Sequence, residues 1–141
     1  HRLLLFTLLL AACGSPTPSR HITGYAGFYS WKTTFAPTPE EWSTLHHTNS
    51  KYLYIKYLDV DIDKSNRPTP LSITQWSGGT IPDSLQIIPV VFIVNRVFTE
   101  ATTDDLENLA QNIATKIKSI TPAGIPIAEI QFDCDWTAST R

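Results

Sequence analysis

An unbroken apolar run near the middle of the chain constrains the fold more than any other stretch. Ile87–Val94 reads Ile-Ile-Pro-Val-Val-Phe-Ile-Val and contains no polar side chain. A strand with one face in water would alternate apolar and polar residues, whereas a strand buried on both faces is apolar throughout, as in parallel sheets. Parallel neighbours are joined by crossover connections, usually helices. The run therefore predicts an α/β fold with a parallel sheet.

The rest of the chain shows the alternation of elements that such a fold requires. Three further strands are predicted from β-rich or alternating sequence, over 22–31, Lys51–Asp63 and Glu129–Trp136. One helix is predicted to begin at Thr38-Pro39-Glu40-Glu41, and a second spans Thr103–Ile120 with one apolar stripe. Residues 64–86 have no helical period and are predicted to form a long loop. The resulting order predicts right-handed crossovers.

Polar residues follow the apolar part of the later strands at their C-terminal ends. They are Asp59, Asp61 and Asp63 in the second strand, Asn95 and Arg96 after the third, and Asp133 and Asp135 in the fourth. Regular alternation would put Asp59 and Asp61 on the same face as Leu53, Ile55 and Tyr57. Because parallel strands end at a common edge, the polar side chains are expected to gather there.

This rim is where (β/α)8 barrels assemble their active sites, although doubly wound sheets also bind ligands there. No Gly-rich phosphate turn follows any predicted strand, which argues against a nucleotide-binding Rossmann fold. A barrel needs about 250 residues. We therefore predict that 22–141 is the N-terminal half of a (β/α)8 TIM-type barrel with parallel strands, and that the C-terminal half is missing from this sequence.

The acidic strand contains the candidate catalytic residues, Asp133 and Asp135. Alternation predicts that both lie on one face, roughly 6.5 Å apart, with Phe132, Cys134 and Trp136 on the other. Two carboxylates this close raise each other's pKa where water is excluded. The alternative interpretation is that they cap the following helix or bind a nearby Arg.

The N-terminus predicts secretion and lipid anchoring. Arg2 precedes the apolar run Leu3–Leu10, which is too short to cross a membrane but fits a signal peptide over 1–12. Leu10-Ala11-Ala12-Cys13 resembles the lipobox of bacterial lipoproteins, which implies a lipid on Cys13 and a membrane partner. Residues 13–21 then form the lipidated Cys and a tether. Gly14 after the Cys resembles lipoproteins sent to the outer membrane, so the expected location is the bacterial cell envelope.

Charge composition bears on the partners. The chain has 11 Lys and Arg against 13 Asp and Glu and no basic cluster, which argues against nucleic-acid binding. Asp59-x-Asp61-x-Asp63 has the spacing of a calcium loop, but Lys64 stands where that loop needs Gly and Pro70 where it needs Glu. A metal bound by Asp59, Asp61, Asp133 and Asp135 is the lowest-ranked hypothesis. No cofactor and no metal are predicted.

Four segments resemble an uncharacterised bacterial family of barrel-type lipoproteins that carries a domain of unknown function. They are Tyr29–Thr33, Leu53–Asp61, Ile88–Asn95 and Ile130–Thr140. The Phe-Asp-Cys-Asp-Trp sequence around Asp133 is also similar to the fourth-strand motif of the family-eighteen glycoside hydrolases. In that motif two Asp alternate and the acid Glu follows two residues later. Asp133 and Asp135 match it, but Thr137 stands in the place of the Glu.

The sequence is compatible with two functions. The first is an envelope-anchored glycoside hydrolase in which Asp135 is the acid/base or orienting carboxylate and Asp133 its partner. Its substrate-binding residues would be Trp31, Lys32, Asp59, Asp61, Asn95, Arg96 and Trp136, with Trp31 or Trp136 as a sugar platform. The second is a non-catalytic lipoprotein that binds a ligand or has a structural role in the envelope, which the missing Glu favours.

Overall fold

Ten elements follow one another in residues 24–77 and 79–138, the parts of the chain that the computed structural model describes. They are β1 (Gly27–Ser30), β2 (Thr34–Phe35), α1 (Pro39–His47), β3 (Tyr52–Ile62), β4 (Pro68–Ile73), β5 (Gln75–Trp76), β6 (Gln86–Ile93), α2 (Arg96–Glu100), α3 (Thr103–Ile120) and β7 (Gln131–Cys134). The predicted signal peptide, Cys13 and the tether lie outside the described residues. None of the described helices is both long and apolar enough to cross a membrane.

The main sheet contains four parallel strands in the order β1-β3-β6-β7. The predicted α/β class and parallel sheet are confirmed. The sheet curls into a half-barrel, which is consistent with the predicted partial barrel. β6 corresponds to the predicted apolar run, and six of its eight residues, Ile87 to Val91 and Ile93, are buried. Its neighbours β3 and β7 cover both of its edges.

The predicted loop over 64–86 is wrong. β4 returns from β3 and pairs antiparallel with its C-terminal half, while β5 pairs with β2 in a separate two-stranded sheet. Pro68 and Pro70 lie in β4, and proline lacks the N–H group that a central strand needs. Proline is tolerated in edge strands such as β4, so the same residues that read as a loop are compatible with its position.

Both long helices begin as predicted, because their first turns satisfy the free N–H groups. Thr38 accepts from the Glu41 N–H while the Glu41 carboxylate accepts from the Thr38 N–H at 2.8 Å. Thr102 and Asp105 form the same capping box at α3. The apolar stripe of α3 is buried against one face of the sheet, here called the outer face, through Leu109, Ile113 and Ile117.

A bulge in β3 overturns the predicted facing of its aspartates. Relative to β6 the register shifts between Lys56 and Leu58, and Tyr57 and Leu58 are both fully buried. Tyr57 is thus an extra residue, and an extra residue moves all later side chains to the opposite face. Leu58 takes over the outer face, and Asp59 and Asp61 turn to the other side, called here the inner face. Regular alternation could not foresee this change.

Candidate functional site

The inner face carries a row of side chains that crosses three strands. Asp59 of β3 is paired in register with Phe92 of β6, and Phe92 with Asp133 of β7. Strands lie about 4.8 Å apart, so the Cα atoms of the two aspartates are roughly 10 Å apart before the curl of the sheet shortens the distance. The structure therefore brings Asp59 and Asp133 together across strands.

Aromatic rings from β1 and the residue after it form one wall of the site. Trp31 stacks on Tyr29 with ring centroids 4.3 Å apart and planes inclined by 20°, and Tyr29 lies against Tyr54 at 6.1 Å. Trp31 is nevertheless 53% exposed. The wall thus presents a free aromatic surface that is held in place from behind.

A cleft of about 380 Å³ opens beside Trp31. This volume falls in the range of small-molecule sites. Leu71, an unpaired bulge residue of β4 that is 58% exposed, forms a second apolar element. The complete lining consists of Trp31, Lys56, Asp59, Asp61, Leu71, Ser72, Phe92 and Val94. The cleft therefore combines apolar walls with charged and hydroxyl groups.

Both carboxylates that line the cleft, Asp59 and Asp61, are ion-paired. Lys56 Nζ lies 2.8 Å from Asp59 Oδ2, and these side chains are 14% and 27% exposed. Arg96 binds both carboxylate oxygens of Asp61, with Nη2 donating to Oδ2 at 2.6 Å. The bond from Arg96 lowers the pKa of Asp61, and Asp61 in turn raises the pKa of Arg96. Both groups are therefore charged at neutral pH.

Tyr29 is the functional candidate that sequence reasoning missed. Its hydroxyl oxygen is buried and has no hydrogen-bond partner among the described residues. Burial, followed by the charges of Asp133 and Asp59, raises the pKa of Tyr29 to about 12. β1 and β7 are opposite edges of the sheet, so the curl must bring Asp133 within electrostatic reach of Tyr29. The only signal in the sequence was the position of Tyr29 two residues before Trp31, on the same face of a short strand.

The strand that was predicted to carry both Asp133 and Asp135 contains only Asp133. β7 ends at Cys134, and the Trp136 N–H donates to the Cys134 carbonyl at 2.9 Å, which closes a tight turn around Asp135. Asp135 is exposed and lies outside the strand, so strand alternation no longer applies to it. Of these two aspartates, only Asp133 belongs to the inner-face row with Asp59 and Phe92.

Three other predicted binding residues lie elsewhere in the fold. Lys32 forms an exposed ion pair with Glu41 in the first turn of α1, 2.7 Å apart. Trp136 stacks on Phe98 of α2 at 4.8 Å. Asn95 is half-buried between β6 and α2. None of the three lines the 380 Å³ cleft.

The geometry gives no support to the metal hypothesis. In residues 24–77 and 79–138, no three or more His, Cys, Asp or Glu side chains are grouped so that they could hold a metal ion. Known proteins supply no relative either, since no family model, no curated protein and no solved structure matches the chain. The site is therefore interpreted from its own residues.

Proposed function

We propose that the cleft on the inner face binds a carbohydrate. The observation that carries this proposal is the exposed face of Trp31 beside charged and hydroxyl side chains in one cleft. A sugar ring presents C–H groups on its faces and hydroxyls around its edge. An aromatic surface with adjacent polar groups matches both features.

Each group in the cleft has a distinct part in this proposal. Trp31 is the platform for a sugar ring, and its stacking on Tyr29 limits the ordering that binding would require. Lys56 can donate to hydroxyl oxygens, while Asp59 has lone pairs left after its single contact with Lys56. Ser72, paired in register with Asp59, adds a hydroxyl.

A comparison of two tryptophans tests the proposal. Trp31 and Trp136 are 53% and 55% exposed, and each stacks on one neighbouring ring. We expect Trp31→Ala to weaken binding of neutral β-linked hexasaccharides roughly tenfold, or ~1.4 kcal/mol, in isothermal titration calorimetry. Trp136→Ala is the matched control and should leave the dissociation constant unchanged. Equal effects of the two substitutions, or none from Trp31→Ala, would refute the platform.

The second candidate is hydrolysis of a glycosidic bond, and the row Asp59–Phe92–Asp133 favours it. Glycosidases use two carboxyl groups about 5 to 10 Å apart, a separation that two neighbouring strand spacings can provide. Asp133 would then act as the acid/base, with Asp59 as its partner. Asp133→Asn should abolish release of reducing ends while binding persists, and unchanged turnover in this variant would exclude the role.

We also propose that the fold is half of a (β/α)8 barrel and that the protein is anchored in the bacterial envelope. Four parallel strands in chain order support the N-terminal half of a (β/α)8 barrel, whose C-terminal rim would contain the cleft. Leu10-Ala11-Ala12-Cys13 supports a lipid anchor in the bacterial envelope. A lipid mass on Cys13 in the mature protein is the measurement that decides the anchor.

A further inference from the structure

Within residues 24–77 and 79–138, the inner face carries one negative charge that no cation compensates. Its charged side chains on β1, β3, β6 and β7 are Lys56, Asp59, Asp61 and Asp133, and Arg96 reaches it from α2. Lys56 pairs with Asp59 and Arg96 with Asp61. Asp133 has no ion pair with any Lys, Arg or His of the described chain. The net charge of the set is therefore −1, and it resides on Asp133.

The position of Asp133 makes this charge available to a ligand in the cleft. Asp133 does not itself line the cleft, but it is half-buried and is the register neighbour of Phe92, which does. Its charge also contributes to the raised pKa of Tyr29, the ring on which Trp31 stacks. A ligand that extends from Trp31 along the cleft to Phe92 would thus come next to an uncompensated carboxylate.

We infer that the cleft selects saccharides with free amino groups and disfavours those with carboxylate groups. This inference rests on the proposed carbohydrate binding and names the class of sugar. An ammonium group on the ligand would form the ion pair that Asp133 lacks. A uronic acid would bring a second negative charge beside Asp133, and like charges at short range repel each other. Neutral sugars should bind with intermediate affinity.

The test compares the binding of three hexasaccharides by calorimetry at pH 6 and 150 mM salt. The β-linked glucosamine hexamer is cationic, the β-linked glucose hexamer is neutral, and the α-linked galacturonic acid hexamer is anionic. We expect the glucosamine hexamer to bind roughly fivefold more tightly than the glucose hexamer, the ratio that one partly exposed ion pair supplies. The galacturonate hexamer should bind more weakly than both.

Asp133→Asn should bring the glucosamine-to-glucose ratio close to one. Asp83→Asn is the matched control, because it removes the same charge from an exposed turn residue outside the cleft. It should keep the ratio of the wild type. The inference is overturned if the ratio survives in Asp133→Asn, or if the anionic hexamer binds as tightly as the neutral one.

The outcomes separate this inference from the function on which it rests. Binding of the glucose hexamer that depends on Trp31, with no preference among the three charges, would refute the amino-sugar selectivity alone. Failure of all three hexamers to bind would refute both.

Discussion

The two faces of the curled sheet are built from the same strands by different interactions. The outer face is aliphatic and buried, with Leu53, Ile55 and Leu58 packed against helix residues such as Ile113. The inner face buries Ile88 and Val90, but it also carries ion pairs, stacked aromatic rings and an exposed tryptophan. Burying one large apolar side chain contributes about 1.5–3 kcal/mol, whereas an exposed ion pair contributes about 0–1 kcal/mol. Stability therefore depends mainly on the outer face, and the inner face is free to carry function.

Because of the bulge at Tyr57, β3 contributes apolar side chains to the outer face and aspartates to the inner face. β3 continues for four residues beyond Leu58, and its apolar side chains Val60 and Ile62 stay on the outer face. Without the bulge, regular alternation would put Leu58 on the same face as Lys56, and Asp59 and Asp61 on the face of the apolar core. The buried Tyr57 thus places the carboxylates of Asp59 and Asp61 in the cleft and keeps them out of the apolar core.

The largest expected effect follows from removing that bulge side chain. Tyr57 is 0% exposed, its ring meets Trp76 edge-on at 6.1 Å, and its hydroxyl accepts from Thr121 Oγ1 at 3.4 Å. Tyr57→Ala should lower the free energy of unfolding by about 3–5 kcal/mol because it leaves a cavity in the outer-face core. Urea denaturation measures the change.

Tyr57→Phe separates the ring from the hydroxyl. It keeps the packing and removes one long hydrogen bond, so we expect a loss of about 1 kcal/mol or less. Comparable losses in the two variants would mean that the hydroxyl rather than the apolar packing dominates, and the contrast between the two faces would fail.

How much of this could be read from the sequence differs between the faces. The outer face follows from periodicity, because the stripe of α3 and the apolar run of β6 predict what is observed, and the Thr38 capping box predicts the start of α1. The inner face depends on a bulge and on sheet curvature, and neither leaves a local pattern. Asp133 and Asp135 looked like a pair by spacing, but the strand ends at Cys134 and a turn follows, so alternation does not fix the position of Asp135. Asp59 and Tyr29 join Asp133 only through tertiary structure.

A second prediction tests the curvature of the inner face. The charge of Asp133 contributes to raising the pKa of Tyr29 to about 12, although burial is the larger cause. Removing that negative charge in Asp133→Asn should lower the pKa of Tyr29, but leave it above the ordinary value of about 10. Titration of the tyrosine ring carbons by NMR, assigned with Tyr29→Phe, measures the shift.

Asp135→Asn is the matched control for this titration. It removes the same charge two residues along the chain, and Asp135 is not among the groups that raise the pKa of Tyr29. The pKa of Tyr29 should stay as in the wild type. If Asp133→Asn also leaves it unchanged, the edges β1 and β7 do not approach each other across the inner face.

The smallest expected effect concerns the ion pair of Arg96 with Asp61. Because Arg96 lowers the pKa of Asp61, the carboxylate stabilises the fold at pH values above its unfolded pKa of about 3.9, and this contribution is lost as the pH falls through the folded pKa. Arg96→Gln should therefore be slightly less stable than the wild type at pH 7. The difference should diminish as the pH falls through the lowered pKa of Asp61. Urea denaturation in a pH series from 7 downward measures it, with Lys64→Gln in the exposed β3–β4 turn as the control.

The destabilisation caused by Tyr57→Ala and by Arg96→Gln should differ in its pH dependence as well as in its size. The pH dependence distinguishes the two faces more sharply. Tyr57→Ala removes apolar packing, which does not depend on the charge of any carboxylate, so its destabilisation should be similar at pH 7 and pH 4. The Arg96→Gln effect exists only while Asp61 is ionised. A loss in Arg96→Gln that did not diminish as the pH fell through the lowered pKa of Asp61 would mean that the Arg96 side chain stabilises the rim by packing rather than by charge. In that case the rim of the cleft would owe its stability to the same kind of interaction as the outer face.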